Sequence, residues 1–211
     1  MQLSLSDLNR LAGHFEIFKK DLASWQPRFE MILQYLALRA QWAKVHNVSG
    51  PQALADSTDD VVDAFALCEI LRRDLPLVDV GTGSGVPGMI LACLLPDLRI
   101  HLVEPLVKRT AFLNSVAYQL GLSSVKVWRE RWPCLNKLPQ TELSQGLQLV
   151  SRAVIAPDVW PKLACTEYTQ VIYQYLAQIQ PDWEMKGFKM GAECLYEVRL
   201  VDRIVRRWDR G

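Results

Sequence analysis

The run Leu77-Val-Asp-Val-Gly-Thr-Gly-Ser-Gly-Val-Pro-Gly88 constrains this chain more than any other stretch. A short β-rich segment enters a turn built on glycines, which reach backbone conformations that side chains forbid. A helix over Pro87 to Leu95 is expected next, then Pro96 and a second strand over Ile100 to Glu104. Gly83-x-Gly85-x-x-Gly88 has the spacing of a dinucleotide-binding turn, and Glu104 lies where a ribose-binding acid would stand. The alternative is a set of glycines that only turn tightly. Strand, turn, helix and acid-ended strand in one unit favour a nucleotide-type ligand.

The same rhythm continues. A helix is expected from Leu106 to Leu120, closed by Gly121, then strands at Val125–Trp128 and Leu147–Val150. A fifth strand is expected at Val171–Leu176, and two more near Leu195–Leu200 and Ile204–Trp208. Upstream lie three amphipathic segments. Ser6 is read as the cap of a helix carrying Leu8, Leu11, Phe15, Phe18 and Leu22 on one face. Pro27 opens a second helix with Phe29, Ile32, Leu33, Leu36 and Ala40 as its stripe, and a polar break follows at His46 to Pro51. Ser57 and Asp60 resemble a capping box before a third. The pattern predicts an α/β fold with a central, mainly parallel sheet. Residues 1–74 form its N-terminal helical cap and residues 75–211 its Rossmann-like domain.

Charge bears on the ligand. Asp79, just before the turn, is expected to face whatever the turn cradles. Its carboxylate would repel a pyrophosphate and attract the cationic amino group of S-adenosylmethionine. Pro87 also lacks the N–H that a pyrophosphate at a helix N-terminus would use. Both favour the methyl donor over NAD. Glu104 serves ribose hydroxyls in either case.

Here the sequence resembles the bacterial small-subunit ribosomal RNA guanine-N7 methyltransferases, the glucose-inhibited division protein B family. The resemblance rests on Asp79 to Gly88, Glu104, Lys108-Arg109, Phe112-Leu113 and Ser151-Arg152-Ala153, with Trp42, Lys44 and Asn47 upstream. It implies a class I methyltransferase that uses S-adenosylmethionine and acts on 16S ribosomal RNA. It further implies that Gly81 and Val86 line the methionine and adenosine parts of the site. Trp132-Pro133 would lie at the adenine, and Arg152 beside the donor or the RNA. The chain departs from the family pattern at Pro133, where an acid is usual, and at Asp60, where a histidine is expected. After about residue 155 the match fades, and Lys186-Gly187 only loosely resembles a family signature.

Guanine N7 carries a free lone pair, so methyl transfer to it needs alignment and no general base. No catalytic acid–base group is expected, and none is read. Asp79, Gly81, Gly83, Gly85, Val86, Glu104, Arg131, Trp132, Pro133 and Arg152 form the expected cofactor set. Arg131 and Arg152 could hold phosphate or a guanine edge, against the alternative of surface ion pairs. Lys108 and Arg109 open a helix where acids suit the dipole better, which suggests RNA phosphate contact. Arg203, Arg206, Arg207 and Arg210 with Trp208 read as a basic tail able to contact RNA or simply be solvated. Pro133-Cys134 could mark a nucleophile, but follows the third strand and reads as an idle thiol.

Composition excludes a few classes. Net charge is +1, so any RNA affinity must come from a local patch. Five scattered cysteines without a C-x-x-C pair suit reduced thiols, with no zinc knuckle or other metal site. No leader or membrane span is read, so a cytoplasmic protein is expected; a monomer is expected as well. A methyltransferase-like chain that binds RNA or protein without catalysis, or an NAD-linked oxidoreductase, are the alternatives.

Overall fold

The structure is a computed structural model that describes residues 3–46, 57–152, 154–177 and 186–211. Asn47, Ala153 and most of the polar break before Pro51 lie outside the described residues. Strands β1 (Leu77–Val80), β2 (Ile100–Val103), β3 (Val125–Trp128), β4 (Leu147–Ser151), β5 (Thr169–Leu176), β6 (Phe188–Val198) and β7 (Val201–Arg210) build a sheet. Its order is β3-β2-β1-β4-β5-β7-β6. The first five run parallel, and β7 and β6 add antiparallel. β1 and β4 are fully buried, as near-continuous apolar strands of a covered parallel sheet should be.

The chain leaves β1 toward β2 on one side, and β4 lies on the other. Such a reversal opens a crevice at the carboxyl ends of the strands, where ligands of open α/β sheets bind. The loop 81–88 follows β1, and Ser151-Arg152 end β4 at the same edge. Helices α5 (Gly88–Leu94) and α6 (Val107–Gln119) make the crossovers.

The N-terminal region differs from its sequence reading at two caps. Ser4, not Ser6, caps α1 (Leu5–Ala12), in a reciprocal capping box with Asp7. Gly13 ends that helix, so Phe18 falls on a separate short α2 (Glu16–Lys19) with Phe15 at its N-cap, instead of one continuous stripe. Helix α3 (Gln26–His46) carries its expected stripe, with Phe29 and Ile32 fully buried. Ser57 precedes α4 (Thr58–Ile70) but makes no side-chain cap bond. Its hydroxyl instead accepts from Arg39 Nη2 at 2.9 Å. The capping box expected of Ser57 and Asp60 is therefore replaced by ion pairing with arginines.

One apolar cluster joins Leu8, Phe18 and Phe65 of the helical region to Met89, Leu102 and Phe112 of the sheet region. The boundary near residue 74 is a change of element type, with no gap in the core. Short helices α7 (Gln140–Gln145) and α8 (Trp160–Ala164) support β4 and β5, and a smaller cluster around Val78, Leu149, Trp160 and Trp208 fills the other face.

The last two strands are longer than the sequence suggested. Leu200 is not in a strand: β6 ends at Val198, and Arg199-Leu200 form a two-residue hairpin turn with φ of 52° and 63°. Positive φ at both positions is what a tight hairpin demands, although glycine and asparagine accept it far more readily.

Candidate functional site

β1 delivers Asp79 beneath the loop it feeds. The carboxylate is wholly buried. Its Oδ2 accepts from Thr82 Oγ1 at 2.6 Å and from the Gly88 N–H at 2.9 Å, so it fastens both ends of the loop. It does not project across the loop, as the sequence reading had it; Oδ1 is buried with no hydrogen-bond partner. Burial lifts its pKa to about 6, opposed by the hydroxyl and the N–H. Gly88 is fixed by space: a Cβ there would come within 2.3 Å of Leu102 Cδ2 and 2.7 Å of Asp79 Oδ2.

Most of the other loop N–H groups are also occupied. Those of Gly81 and Thr82 both donate to the Val103 carbonyl, at 2.9 and 3.2 Å. Those of Gly85 and Val86 donate to the Thr82 carbonyl, at 2.9 and 3.1 Å. The Gly83 N–H donates to Glu104 Oε2 at 3.1 Å, and the Leu106 N–H to Oε1 at 2.9 Å. A pyrophosphate site needs such groups free and pointing outward. Here carbonyls and two carboxylates have taken them. The loop offers few donors, and Glu104 is the carboxylate left beside it, which suits a hydroxyl-bearing ligand without a pyrophosphate.

The residues fit S-adenosylmethionine on this ground. Each Glu104 oxygen accepts one N–H and keeps a lone pair for a ribose hydroxyl. Gly83 borders open space, since a Cβ would meet nothing closer than 3.9 Å. Val86 is buried in the core cluster, and Gly81 packs against Val154. Arg109 reaches Glu104 Oε2 at 3.7 Å, whereas Lys108 is exposed. Arg131 and Pro133 are exposed on the segment after β3, and Trp132 is half-buried with its indole N–H on the Leu163 carbonyl at 2.9 Å. The Glu104 N–H donates to the Trp128 carbonyl at 3.0 Å, so this segment leaves β3 next to the glutamate. Cys134 is buried, which pushes its thiol up to about 11. It is no nucleophile.

His101, expected to face a helix, does so. Trp128 Nε1 donates to its Nδ1 at 2.9 Å, and its Nε2 pairs with Glu142 of α7. An indole only donates, so Nδ1 is an acceptor and the ring is the neutral Nε2–H tautomer. Burial holds its pKa below the usual value, against the pull of Glu142.

Arg152 ends β4 in a network that sequence reading missed. Its Nη1 lies 2.8 Å from Asp60 Oδ1 and its Nε donates to Asp63 Oδ2 at 2.6 Å. Asp60 also pairs with Arg39 at 2.6 Å, so aspartate at this position bridges two guanidiniums. Asp63 further accepts from Tyr196 Oη at 2.8 Å and Arg203 Nη1 at 3.1 Å. Arg199 and Arg203 bind Asp59, and Tyr175 Oη donates to the Asp63 carbonyl. One signal could have found Asp63: it is a lone acid inside the apolar run Val61-Val-Asp-Ala-Phe-Ala-Leu67, and a buried carboxylate requires partners.

The expected basic tail is a sheet strand. Arg206 is buried and pairs with Glu193 at 3.1 Å; Arg207 pairs with Asp209 at 3.1 Å and donates to the Ile70 carbonyl. Trp208 is buried with its indole N–H on Gln174, so it offers no face to a base. Arg206 and Arg207 are thus structural ties, which corrects their reading as RNA contacts. Among the described residues, no group of three metal-ligating side chains could hold an ion, and no helix is long and apolar enough to cross a membrane.

Sheet order, glycine loop and acid-ended second strand define a Rossmann-like class I methyltransferase. Solved structures agree in fold. The chain superposes on MtNAS bound to S-adenosylmethionine with a TM-score of 0.52 at 16% identity, covering 98% of this chain and 90% of that one. M. capricolum TrmK with S-adenosyl-homocysteine gives 0.55 at 7% identity, covering 71% and 68%. The family model of rRNA small subunit methyltransferase G (GidB) matches residues 28–173. The protein belongs to that family. Its relatives include Ribosomal RNA small subunit methyltransferase G of Wolinella succinogenes, 34% identical over 61% of this chain and 70% of the relative. The protein of the same name from Francisella philomiragia is 30% identical over 78% and 76%.

Proposed function

We propose that this protein transfers the methyl group of S-adenosylmethionine to guanine N7 of small-subunit ribosomal RNA. Family membership supports the substrate. The observation that carries the cofactor is the loop whose N–H groups are taken by carbonyls and by Asp79 and Glu104. That arrangement disfavours NAD and favours a cationic donor. When bound, S-adenosylmethionine supplies an electrophilic methyl group. Glu104 holds the ribose, Gly83 lets the ligand approach the backbone, and Trp132 with Pro133 borders the adenine. Arg131, Lys108 and Arg109 are the cations left to meet RNA phosphates. Arg152, clamped by Asp60 and Asp63, orders the end of β4 where the base must arrive. No side chain needs to remove a proton, because N7 has none. On this reading the enzyme is a cytoplasmic monomer.

Calorimetric titration with S-adenosylhomocysteine is expected to give one-to-one binding. Ribosomal RNA from cells lacking the family's enzyme is expected to accept one methyl group and then break at the modified guanine on borohydride and aniline treatment. Binding without transfer would support instead a methyltransferase fold that has lost catalysis. Absence of both would end the proposal.

A further inference from the structure

Helix α3 carries two side chains that its apolar stripe does not explain. Tyr35 and Arg39 are four residues apart, so they share one face of the helix. Both are buried, and a buried hydroxyl or guanidinium requires partners. The Arg39 guanidinium carbon lies 5.8 Å from the centre of the Tyr35 ring, in a cation–π contact. From that contact the two residues reach opposite walls of the crevice.

Tyr35 reaches the glycine loop. Its Oη donates to the Ser84 carbonyl at 2.9 Å. In a continuing helix that carbonyl would accept from the N–H of the residue four positions on. Here the Gly88 N–H is on Asp79 at 2.9 Å, and Pro87 has no N–H to offer in a tighter turn. The tyrosine supplies the donor that the loop withholds. Ser84 stands between two glycines of positive φ, which have little of their own to fix the peptide between them.

Arg39 reaches the other wall. Its Nη1 lies 2.6 Å from Asp60 Oδ2, and Asp60 Oδ1 lies 2.8 Å from Arg152 Nη1 at the end of β4. Loop carbonyl, tyrosine, arginine, aspartate and arginine thus form one chain of contacts across the crevice.

We propose that Tyr35 and Arg39 act together as a strut that sets the spacing between the glycine loop and the end of β4. This role rests on the methyl transfer proposed above and adds two positioning residues to it. Alignment is the whole catalytic task there, because N7 needs no general base. Neither residue has to touch the donor or the base, since each fixes a wall of the crevice. The helical region then contributes to turnover as well as to the core.

Tyr35→Phe and Arg39→Lys test this, with ribosomal RNA from bacteria lacking the family's enzyme as substrate. Tyr35→Phe keeps the ring beside Arg39 and removes one hydrogen bond. It is expected to weaken S-adenosylhomocysteine binding about three- to tenfold and to lower kcat about fivefold. Arg39→Lys keeps the charge but cannot hold Ser57 and Asp60 at once. It should lower kcat by a similar factor, with the KM for RNA within about threefold. A strut cut at one end is already broken, so the double variant should be no slower than the slower single one. Losses that multiply overturn the inference, as does wild-type kcat in Tyr35→Phe. If Arg39→Lys folds poorly, Asp60→Asn cuts the same chain of contacts and takes its place.

Hydrogen exchange of the unliganded protein decides the point without activity. The peptide spanning residues 81–88 should exchange faster in Arg39→Lys, although no hydrogen bond joins Arg39 to the loop among the described residues. Unchanged exchange there overturns the strut. A wild-type protein that binds S-adenosylhomocysteine but transfers nothing overturns the functional reading, and the exchange experiment still decides the strut by itself.

Discussion

The two sides of the crevice are built differently. On the β1–β2 side, backbone N–H groups are held by carbonyls and by two carboxylates, Asp79 and Glu104, within a span of 28 residues from Leu77 to Glu104. On the β4–β5 side, side chains hold side chains: Asp59, Asp60 and Asp63 meet Arg39, Arg152, Arg199 and Arg203. Some of those partners are 140 positions apart. The first side depends on local chain geometry, and the second on the fold being already in place. Damage should therefore differ in size and in kind.

Asp63→Ala is expected to show the largest effect. It leaves Tyr196, Arg152 and Arg203 without the carboxylate they share, and breaking a buried pair in this way costs about 3–5 kcal/mol. Urea denaturation would measure it. A loss below 1 kcal/mol would mean that the network is solvated and that the two sides are less different than their contacts suggest.

Asp79 gives the next largest effect, read as a pH dependence. Its folded pKa of about 6 stands above the ordinary carboxyl value of 3.8, so the folded state binds the extra proton between those values. Its contribution to stability is present below pH 3.8 and is lost as pH rises through 6, by up to about 3 kcal/mol. Asp79→Asn should match wild type near pH 4 and gain on it toward pH 7; parallel curves would refute the assignment. His101 acts in the opposite sense. Its folded pKa is lowered, so its contribution is lost as pH falls below about 6.5. The comparison must therefore be made between variant and wild type at each pH.

Gly88→Ala should cost about 1–3 kcal/mol, because the added Cβ meets Leu102 and Asp79 at the loop's closing hydrogen bond. It should also weaken S-adenosylhomocysteine binding, whereas a thermally unaltered variant would show that the loop can shift. The smallest effect is a gain. Leu200→Gly relieves a left-handed, 89% exposed leucine and should add about 1 kcal/mol. An unchanged midpoint would mean that Arg199 alone carries the strain of that turn.

The same contrast explains what sequence could reveal. The glycine run, the acid at residue 104 and the strand-helix alternation are short-range patterns, and they led directly to the parallel sheet. Ser57 was misread because Arg39, distant in sequence, competes for its hydroxyl. The arginines of β7 looked like a free basic tail because their acceptors, Glu193 and the Ile70 and Thr169 carbonyls, lie on other elements. Asp60 departs from the family pattern, and what it does is visible only in the fold, where Arg39 and Arg152 lie on either side of it.

The long-range ties also set an order of assembly. Asp59 and Asp63 are translated early, whereas Arg199 and Arg203 come from the last two strands. While the chain is being made, the glycine loop and its strands can close on contacts already synthesised. The carboxylates of α4 must wait for the hairpin, since pairing across so long a loop comes late and slowly. On the proposed reading, the methyl-donor half of the crevice can thus be in place before the ion-pair network opposite it has formed. The aspartates of α4 gain these partners only after Arg199 and Arg203 have left the ribosome.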